Sequence, residues 1–477
     1  MHIFQKLRLM RSNARRFFTF IFASGCGLGM GLTVSAQSPA SNVVHAVESA
    51  PAHNEPAAGD AEPYDASAVL APYHGPVVKG VDTQTLTGKV MCGYQGWFGT
   101  PNDGSGDRNW RHWTKHFGPL GDGNAKVDLW PDVSELPPGE RYATDFKLAD
   151  GRPADVFSSF RRPTVLRHFE WMEQYGIDGV FVQRFVNGLR NPESQEHCNQ
   201  VLANCREGAN THGRAYAVMY DLSGLDEGRI HEVMDDWRML RRKMAITEDP
   251  AYLHHHGKPV VSVWGVGFSD RRRYTLDECK QLVEFLKQDG CTVMLGVPAH
   301  WRNLNMDAMS DPKLLEVIAM ADIVSPWTVG RYKNLEEAED YADNLLKPDQ
   351  AWCRQRKIDF LPVVFPGFSW HNMYTYGKSN QIPRQRGNFL WKQFTDAKEA
   401  GASMVYVAMF DEVDEGTAIF KCANNVPVGT ESKFITLEGL PSDYYLKLVG
   451  SGTKLLRGEL SAEAQNKMTE SMSGSVH

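Results

Sequence analysis

Cysteine is scarce in this chain, at 8 of 477 residues. Cys26 falls in an N-terminal apolar segment, which leaves Cys92, Cys198, Cys205, Cys279, Cys291, Cys353 and Cys422. An odd number this thinly spread is not a disulfide framework. Cys198 and Cys205 stand seven apart on an expected helix, a rise of ~10 Å, too far for a bond. Buried thiols with at most one chance pair are the expectation. Positive charge is also short: 51 Lys and Arg stand against 58 Asp and Glu, a formal net charge of −7. An acidic chain is a poor partner for nucleic acid. Past the first 36 residues no apolar run reaches membrane-spanning length, so no integral membrane segment is expected in the mature form. No glycine-rich phosphate fingerprint follows the first expected strand, which argues against a doubly wound nucleotide-binding sheet. No motif implies a cofactor, and none requires a metal.

What is present begins with an export pattern. Lys6, Arg8, Arg11, Arg15 and Arg16 form a basic start, residues 17–34 are moderately apolar, and Val34-Ser35-Ala36 makes a small-residue exit. Residues 1–36 therefore read as an export signal cut near Ala36, sending the protein to the periplasm or outside the cell. Arg15-Arg16-Phe17-Phe18 resembles a twin-arginine signature, and Ala23-Ser24-Gly25-Cys26 a lipoprotein box without its leucine; both match less well than ordinary cleavage. Cleavage removes five basic side chains and no acidic one, taking the charge from −7 to −12. Residues 37–76, rich in Ala, Pro, Ser, Glu and His, read as a flexible tether, and 461–477 as a flexible tail.

Between them, over 77–460, short β-branched or aromatic runs alternate with helical patterns. Eight strands are expected at 90–98, 179–184, 215–221, 259–266, 292–297, 323–327, 360–365 and 404–409. Helices are expected at 164–174, 230–245, 277–287 and 335–344, with a short last one starting at Tyr444 and capped by Ser442-Asp443. Val180-Phe181-Val182 and Val405-Tyr406-Val407 are continuous apolar runs, the mark of strands covered on both faces. Eight such βα units close most economically into one (β/α)₈ barrel of the TIM type.

Active sites of these barrels lie at the C-terminal strand ends. There the sequence places Tyr94, Trp97, Gln183, Arg184, Tyr220, Asp221, Trp264, His300, Trp301, Trp327, Trp370 and His371. Aromatic faces among hydrogen-bonding groups suit a sugar, whose C–H face is apolar and whose rim is hydroxyl. Carbohydrate is therefore the expected partner. The sharpest cluster is Asp411, Glu412, Asp414 and Glu415, directly after the eighth strand. Four carboxyls in five positions repel one another at the rim of a packed barrel. Glycoside hydrolysis needs two carboxyls of unlike proton affinity, and Glu412 and Glu415 face the same way if the loop makes a helical turn. They are the candidate catalytic pair; Asp411 and Asp414, at alternate positions, are expected to point elsewhere and to tune the field or bind substrate hydroxyls, with Asp411 assigned to substrate binding.

Four segments carry a resemblance. Val90-Met91-Cys92-Gly93-Tyr94-Gln95-Gly96-Trp97-Phe98, the run Tyr-Gly-Ile-Asp-Gly-Val-Phe-Val-Gln-Arg-Phe at 175–185, Gly257-Lys258-Pro259-Val260-Val261 and the stretch 412–417 together resemble the glycoside hydrolase family 71/99-like proteins. The likeness runs from Val90 to about Gly450. Family 99, of endo-α-1,2-mannosidases and mannanases, has Glu-Trp-His-Glu-Gly-Thr after its last strand; this chain has Glu412-Val413-Asp414-Glu415-Gly416-Thr417. The resemblance implies a barrel glycosidase in which Glu412 deprotonates the neighbouring 2-hydroxyl to give an anhydro-sugar and Glu415 is the acid/base. Family 71, the α-1,3-glucanases, has an Asp and a Glu at the same spacing, so the paired acids do not choose between the two. Val413-Asp414 in place of Trp-His leaves a second reading, a carbohydrate-binding barrel without turnover.

Three further features take plain readings. His254-His255-His256 sits before the fourth strand, at the barrel bottom, and reads as a loop rather than a metal site. Arg271-Arg272-Arg273 reads as a solvated helix entry. Asp128-Leu129-Trp130-Pro131-Asp132, in the long loop after strand one, is placed for substrate contact.

Overall fold

Continuous apolar runs form strands that need cover on both faces, and the computed structural model supplies it with a ring of helices. It describes residues 64–374 and 376–461, with positions 463, 464, 467 and 468. The barrel strands are β1 Val90–Tyr94, β2 Gly179–Phe185, β3 Ala215–Asp221, β4 Lys258–Trp264, β5 Thr292–Pro298 and β6 Ile323–Trp327. The seventh, β7, is split into Asp359–Phe360 and Val363–Val364, and β8 is Val405–Val407. Each pairs in parallel with the next.

Closure depends on β7. Its first half pairs with β6 and its second with β8, which in turn pairs with β1. Pro362 has no N–H to give and divides the two halves. Its carbonyl still accepts from Tyr406 N at 2.9 Å, while Leu361 N donates to Val324 O at 2.9 Å. The ring is thus complete, as expected for a TIM-type (β/α)₈ barrel. β1 ends at Tyr94 rather than Phe98, because the next two N–H groups turn away to a carboxylate described below.

The barrel helices are α1 Arg162–Tyr175, α2 Pro192–Thr211, α3 His231–Met244, α4 Leu276–Gln288 and α5 Lys313–Ile318. Next come α6 Leu335–Tyr341, α7 Asn388–Glu399 and α8 Tyr444–Arg457. Thr275 and Glu278 form a capping box at the start of α4, and Gly176 in the left-handed region, φ 74°, ends α1. α6 continues past its expected end through a π turn, Ala342–Leu346, into Lys347–Gln355. Pro348, at the start of that last stretch, gives no N–H to the ladder. α8 is longer than expected at 14 residues, and the Asp443 side chain does not cap it; that carboxylate accepts from Tyr175 Oη at 2.9 Å.

Residues 64–76, expected as tether, pack on the barrel. Leu70 is buried, Ala71 O accepts from Arg206 Nη1 at 2.9 Å, and the Arg206 guanidinium lies over the Tyr73 ring. The export segment, residues 37–63 and most of the tail lie outside the described residues. All seven described cysteines are free, six of them buried. Among the described residues no helix is long and apolar enough to cross a membrane.

The long β1–α1 connection builds one wall of the barrel mouth. It holds an antiparallel hairpin, Tyr142–Lys147 with Pro153–Val156, and is bonded to the β8 loop where Asp128 N and Leu129 N donate to Val413 O. Asp128, expected to meet substrate, is instead fully buried and accepts from His371 N and Asn372 N at 2.8 Å. Trp130 is buried as well, with Nε1 on Asp155 O. The Asp128–Asp132 segment therefore fastens loops together.

Candidate active site

At the C-terminal strand ends a cleft of about 580 Å³ opens, and strand parity decides what reaches it. On β2 Gln183 and Phe185 line it, on β3 Asp221, on β4 Trp264 and on β6 Trp327. The barrel below is filled: a Cβ on Gly93 would meet Met409 and the Tyr406 hydroxyl at 2.1 Å, so this strand position needs glycine. That hydroxyl accepts from Gln183 Nε2 at 3.1 Å.

The segment after β8 brings Glu412, Asp414 and Glu415 to the cleft. It is a series of bonded turns rather than a helix: Thr417 N and Ala418 N both donate to Glu412 O, at 3.1 and 2.9 Å. Gly416 has φ 66° and lies against Ser369, where a Cβ would stand 3.0 Å from backbone and side chain. Glu412 is 4% exposed and Glu415 7%. Glu412 Oε1 accepts from Gln95 Nε2 at 2.7 Å and Oε2 from Thr417 Oγ1 at 2.7 Å. Asp411 is fully buried behind them, its two oxygens accepting from Gln95 N at 2.7 Å and Gly96 N at 2.8 Å.

Burial is the first cause of every proton-affinity shift here. It raises Glu412 well above the carboxylate range, with Glu415 and Asp414 adding repulsion and the Thr417 and Gln95 donors opposing. It raises Glu415 to about 8, with Asp414 adding and Lys126 opposing. Asp411 is pushed up to about 7 against the pull of the Gly96 and Gln95 N–H groups. Asp414 is raised too, opposed by Lys126. Carboxyls this close titrate as a set, which retains protons at neutral pH.

The expected site residues divide by parity. Trp97, Gln183, Asp221, Trp264, Trp327, Glu412 and Glu415 line one cleft. Tyr94 does not: it is buried on the outer face, its hydroxyl 2.8 Å from His168 Nδ1 and its ring against Phe169 and Phe410. Arg184 also points outward, fully buried and bonded through Nε to Asp236 Oδ2 at 2.9 Å. Tyr220 donates to the same Asp236 oxygen at 2.7 Å. Trp301 is buried beneath the surface, edge-on to Trp352 at 4.8 Å. Trp370 is one layer back, donating to Gln381 Oε1 at 2.9 Å with its ring edge-on to Tyr374, which does line the cleft. Asp411 holds backbone rather than facing the cleft, and Asp414 lines the cleft.

Several lining residues carried no readable signal. His112, Thr114 and Lys126 come from the β1–α1 connection, which has no periodic pattern, and Gln95 stood beside the more conspicuous Tyr94 and Trp97. Arg272, expected in solvent, has its side chain only 8% exposed, bonded to Asp270 and Tyr274 and lying over the Trp264 ring at 4.9 Å. It fixes that tryptophan from behind.

The histidine triplet lies by the strand starts, where His254–His255 pairs with Lys258 and Pro259. Two of its members converge on Asp359 Oδ2, His255 Nε2 at 2.8 Å and His256 Nε2 at 2.6 Å. His255 Nδ1 accepts from Leu86 N at 3.1 Å, so the proton of a neutral ring is on Nε2, facing Asp359. A metal-binding histidine shows the reverse, donating from its other nitrogen.

Fold and cleft together define a TIM-type barrel with an acidic, aromatic-walled mouth. Solved structures resemble it, two of them of an endo-α-mannosidase. One is the family 99 endo-α-mannosidase from Bacteroides thetaiotaomicron, with a TM-score of 0.58 and 17% identity over 79% of this chain and 99% of that one. The other, of the endo-α-mannosidase in complex with Bis-Tris propane, gives 0.57 and 16%, covering 78% and 98%. At this identity the likeness establishes the shared barrel. No family profile and no curated protein sequence matches the chain.

Proposed function

We propose that the chain is a glycoside hydrolase acting on an α-glycosidic bond of a glycan or polysaccharide, with Glu412 and Glu415 as its catalytic carboxyls. One observation carries this reading: two buried glutamates from a single turn line the same cleft in unlike surroundings. Burial and Asp414 raise the proton affinity of both carboxyls; hydrogen bonds from Gln95 and Thr417 oppose the rise at Glu412, and the Lys126 charge opposes it at Glu415. The two carboxyls thus hold protons in unlike surroundings, and the roles of base for Glu412 and acid for Glu415 are those the resemblance implies. The shared barrel with the family 99 endo-α-mannosidase supports carbohydrate as substrate.

In the route implied by the resemblance, Glu412 takes the 2-hydroxyl proton and the freed oxygen bonds to C1. The C1–O bond to the leaving sugar breaks, and Glu415 gives that oxygen its proton. Water then opens the anhydro ring, losing a proton to Glu415 while Glu412 returns one to O2. The test is product chromatography of the purified protein on α-mannans, α-glucans and arabinoxylans. Glu412→Gln and Glu415→Gln should abolish turnover, and Glu415→Gln should still bind glycan. Full activity in both variants removes the assignment. Export belongs to the same proposal: mass spectrometry of the exported protein should find an N-terminus near Gln37, and an intact Met1 defeats it.

A further inference from the structure

Beside the two glutamates the cleft carries a second polar cluster. Lys126 Nζ lies 3.1 Å from His112 Nδ1 and 3.5 Å from Asp414 Oδ2. Burial and the neighbouring Lys126 and Arg111 charges hold the His112 pKa well below its ordinary value, so its ring is neutral and Nδ1 accepts from the ammonium. The ring is fixed by stacking on Trp97, with centroids 4.1 Å apart and planes 6° from parallel. Asp414 is fully buried, and Lys126 is the cation paired with it. The lysine backbone is tied down as well, Lys126 N donating to Trp113 O at 2.8 Å.

An ammonium has three N–H groups. Two directions are taken by His112 and Asp414; the lysine side chain, 23% exposed, lines the cleft that Glu415 also lines. A ligand atom there must accept a hydrogen bond. A sugar carboxylate would meet the Asp414 that already balances Lys126, and a sugar ammonium would meet Lys126 itself. Lys115 and His116 stand at the exposed lip, where water screens them. A hydroxyl oxygen on an uncharged sugar meets neither penalty.

We propose that Lys126, held by Asp414 and His112, is a substrate-binding residue that donates to a hydroxyl of an uncharged sugar beside Glu415, and that the balanced Lys126–Asp414 pair selects neutral glycans over uronic and amino sugars. This rests on the glycosidase reading and names its substrate class.

Binding is measured by calorimetry in the Glu415→Gln background, which separates it from turnover. The probes are neutral oligosaccharides from α-mannan and α-glucan, oligogalacturonate, and chitosan oligosaccharides. The neutral pool should bind at least tenfold tighter than either charged probe. Lys126→Met should weaken neutral binding at least tenfold. Asp414→Asn leaves the lysine charge unopposed and should bind oligogalacturonate at least tenfold tighter than the parent does, a gain that misfolding does not produce. Neutral binding within twofold of the parent in Lys126→Met, or no gain in Asp414→Asn, overturns the subsite alone. Failure of every probe to bind the parent overturns the subsite together with the glycosidase reading.

Discussion

Gln95 and Glu412 are joined by a 2.7 Å hydrogen bond, and the backbone N–H of that glutamine is itself held by Asp411, the residue preceding Glu412. The loop after β1 and the turn after β8 therefore fix each other through a closed ring of contacts. Gln95→Leu keeps the backbone half of this ring and removes the side-chain donor. Turnover should fall roughly 10- to 100-fold, the loss of one charge-assisted bond at about 1.5–3 kcal/mol. The effect should lie in kcat more than in KM. Steady-state kinetics reads it, and unchanged kcat removes the positioning role from Gln95.

The dependence of rate on pH follows from the same cluster. Glu415, raised to about 8, must hold its proton to act as an acid, so kcat/KM should fall as pH rises past about 8. Both limbs of the bell belong to the Glu412–Glu415 pair. Asp414 raises the Glu415 value and Lys126 lowers it. Asp414→Asn should then move the alkaline limb to lower pH, and Lys126→Met should move it higher. Shifts in the opposite senses contradict the assignment of the limb.

Stability carries a matching signature. The folded value of Glu415, about 8, lies above the ordinary glutamate value of 4.5. Its folding contribution is therefore fully present below pH 4.5 and is lost as pH rises through 8, where the ionised form must be buried. Glu415→Gln has no such loss. Relative to the parent it should gain stability between about pH 5 and 8, on the order of a few kcal/mol at the upper end. Urea denaturation at both pH values measures the difference, and a pH-independent difference refutes the raised proton affinity.

Reaction products followed by NMR test the route. Retention of anomeric configuration supports the family 99 mechanism through the anhydro-sugar, and inversion supports the family 71 alternative.

The order of strands and helices was readable because βα periodicity is strong, and seven of the expected site residues meet in the cleft. What the sequence did not disclose was parity. Gln183 and Arg184 are both polar neighbours at the end of β2, as Tyr220 and Asp221 are at the end of β3, yet only one of each pair faces the mouth. Strands buried on both faces lack the polar and apolar alternation that reveals which side is which. Lys126 and His112 escaped notice for a different reason: their loop takes its shape from contacts such as Asp128 N to Val413 O, far apart in the chain.

Arg184 turns that lesson into a measurement. It follows Gln183 on β2 with its side chain on the outer face of the barrel sheet, fully buried, its charge matched by Asp236 and its Nη2 bonded to Asn199 Oδ1 at 3.1 Å. Tyr220 donates to Asp236 as well, so one buried carboxylate serves both residues that were expected in the cleft. Replacing Arg184 by Met leaves the Asp236 charge buried without its cation, which costs about 3–5 kcal/mol. The double variant Arg184→Met with Asp236→Leu removes both charges and should recover much of that loss. Gln183→Leu, one residue away, should do the reverse, lowering glycan affinity or turnover with little change in melting temperature. Thermal melting and kinetics on these variants decide the matter: a stable Arg184→Met protein with weakened substrate binding would return Arg184 to the site.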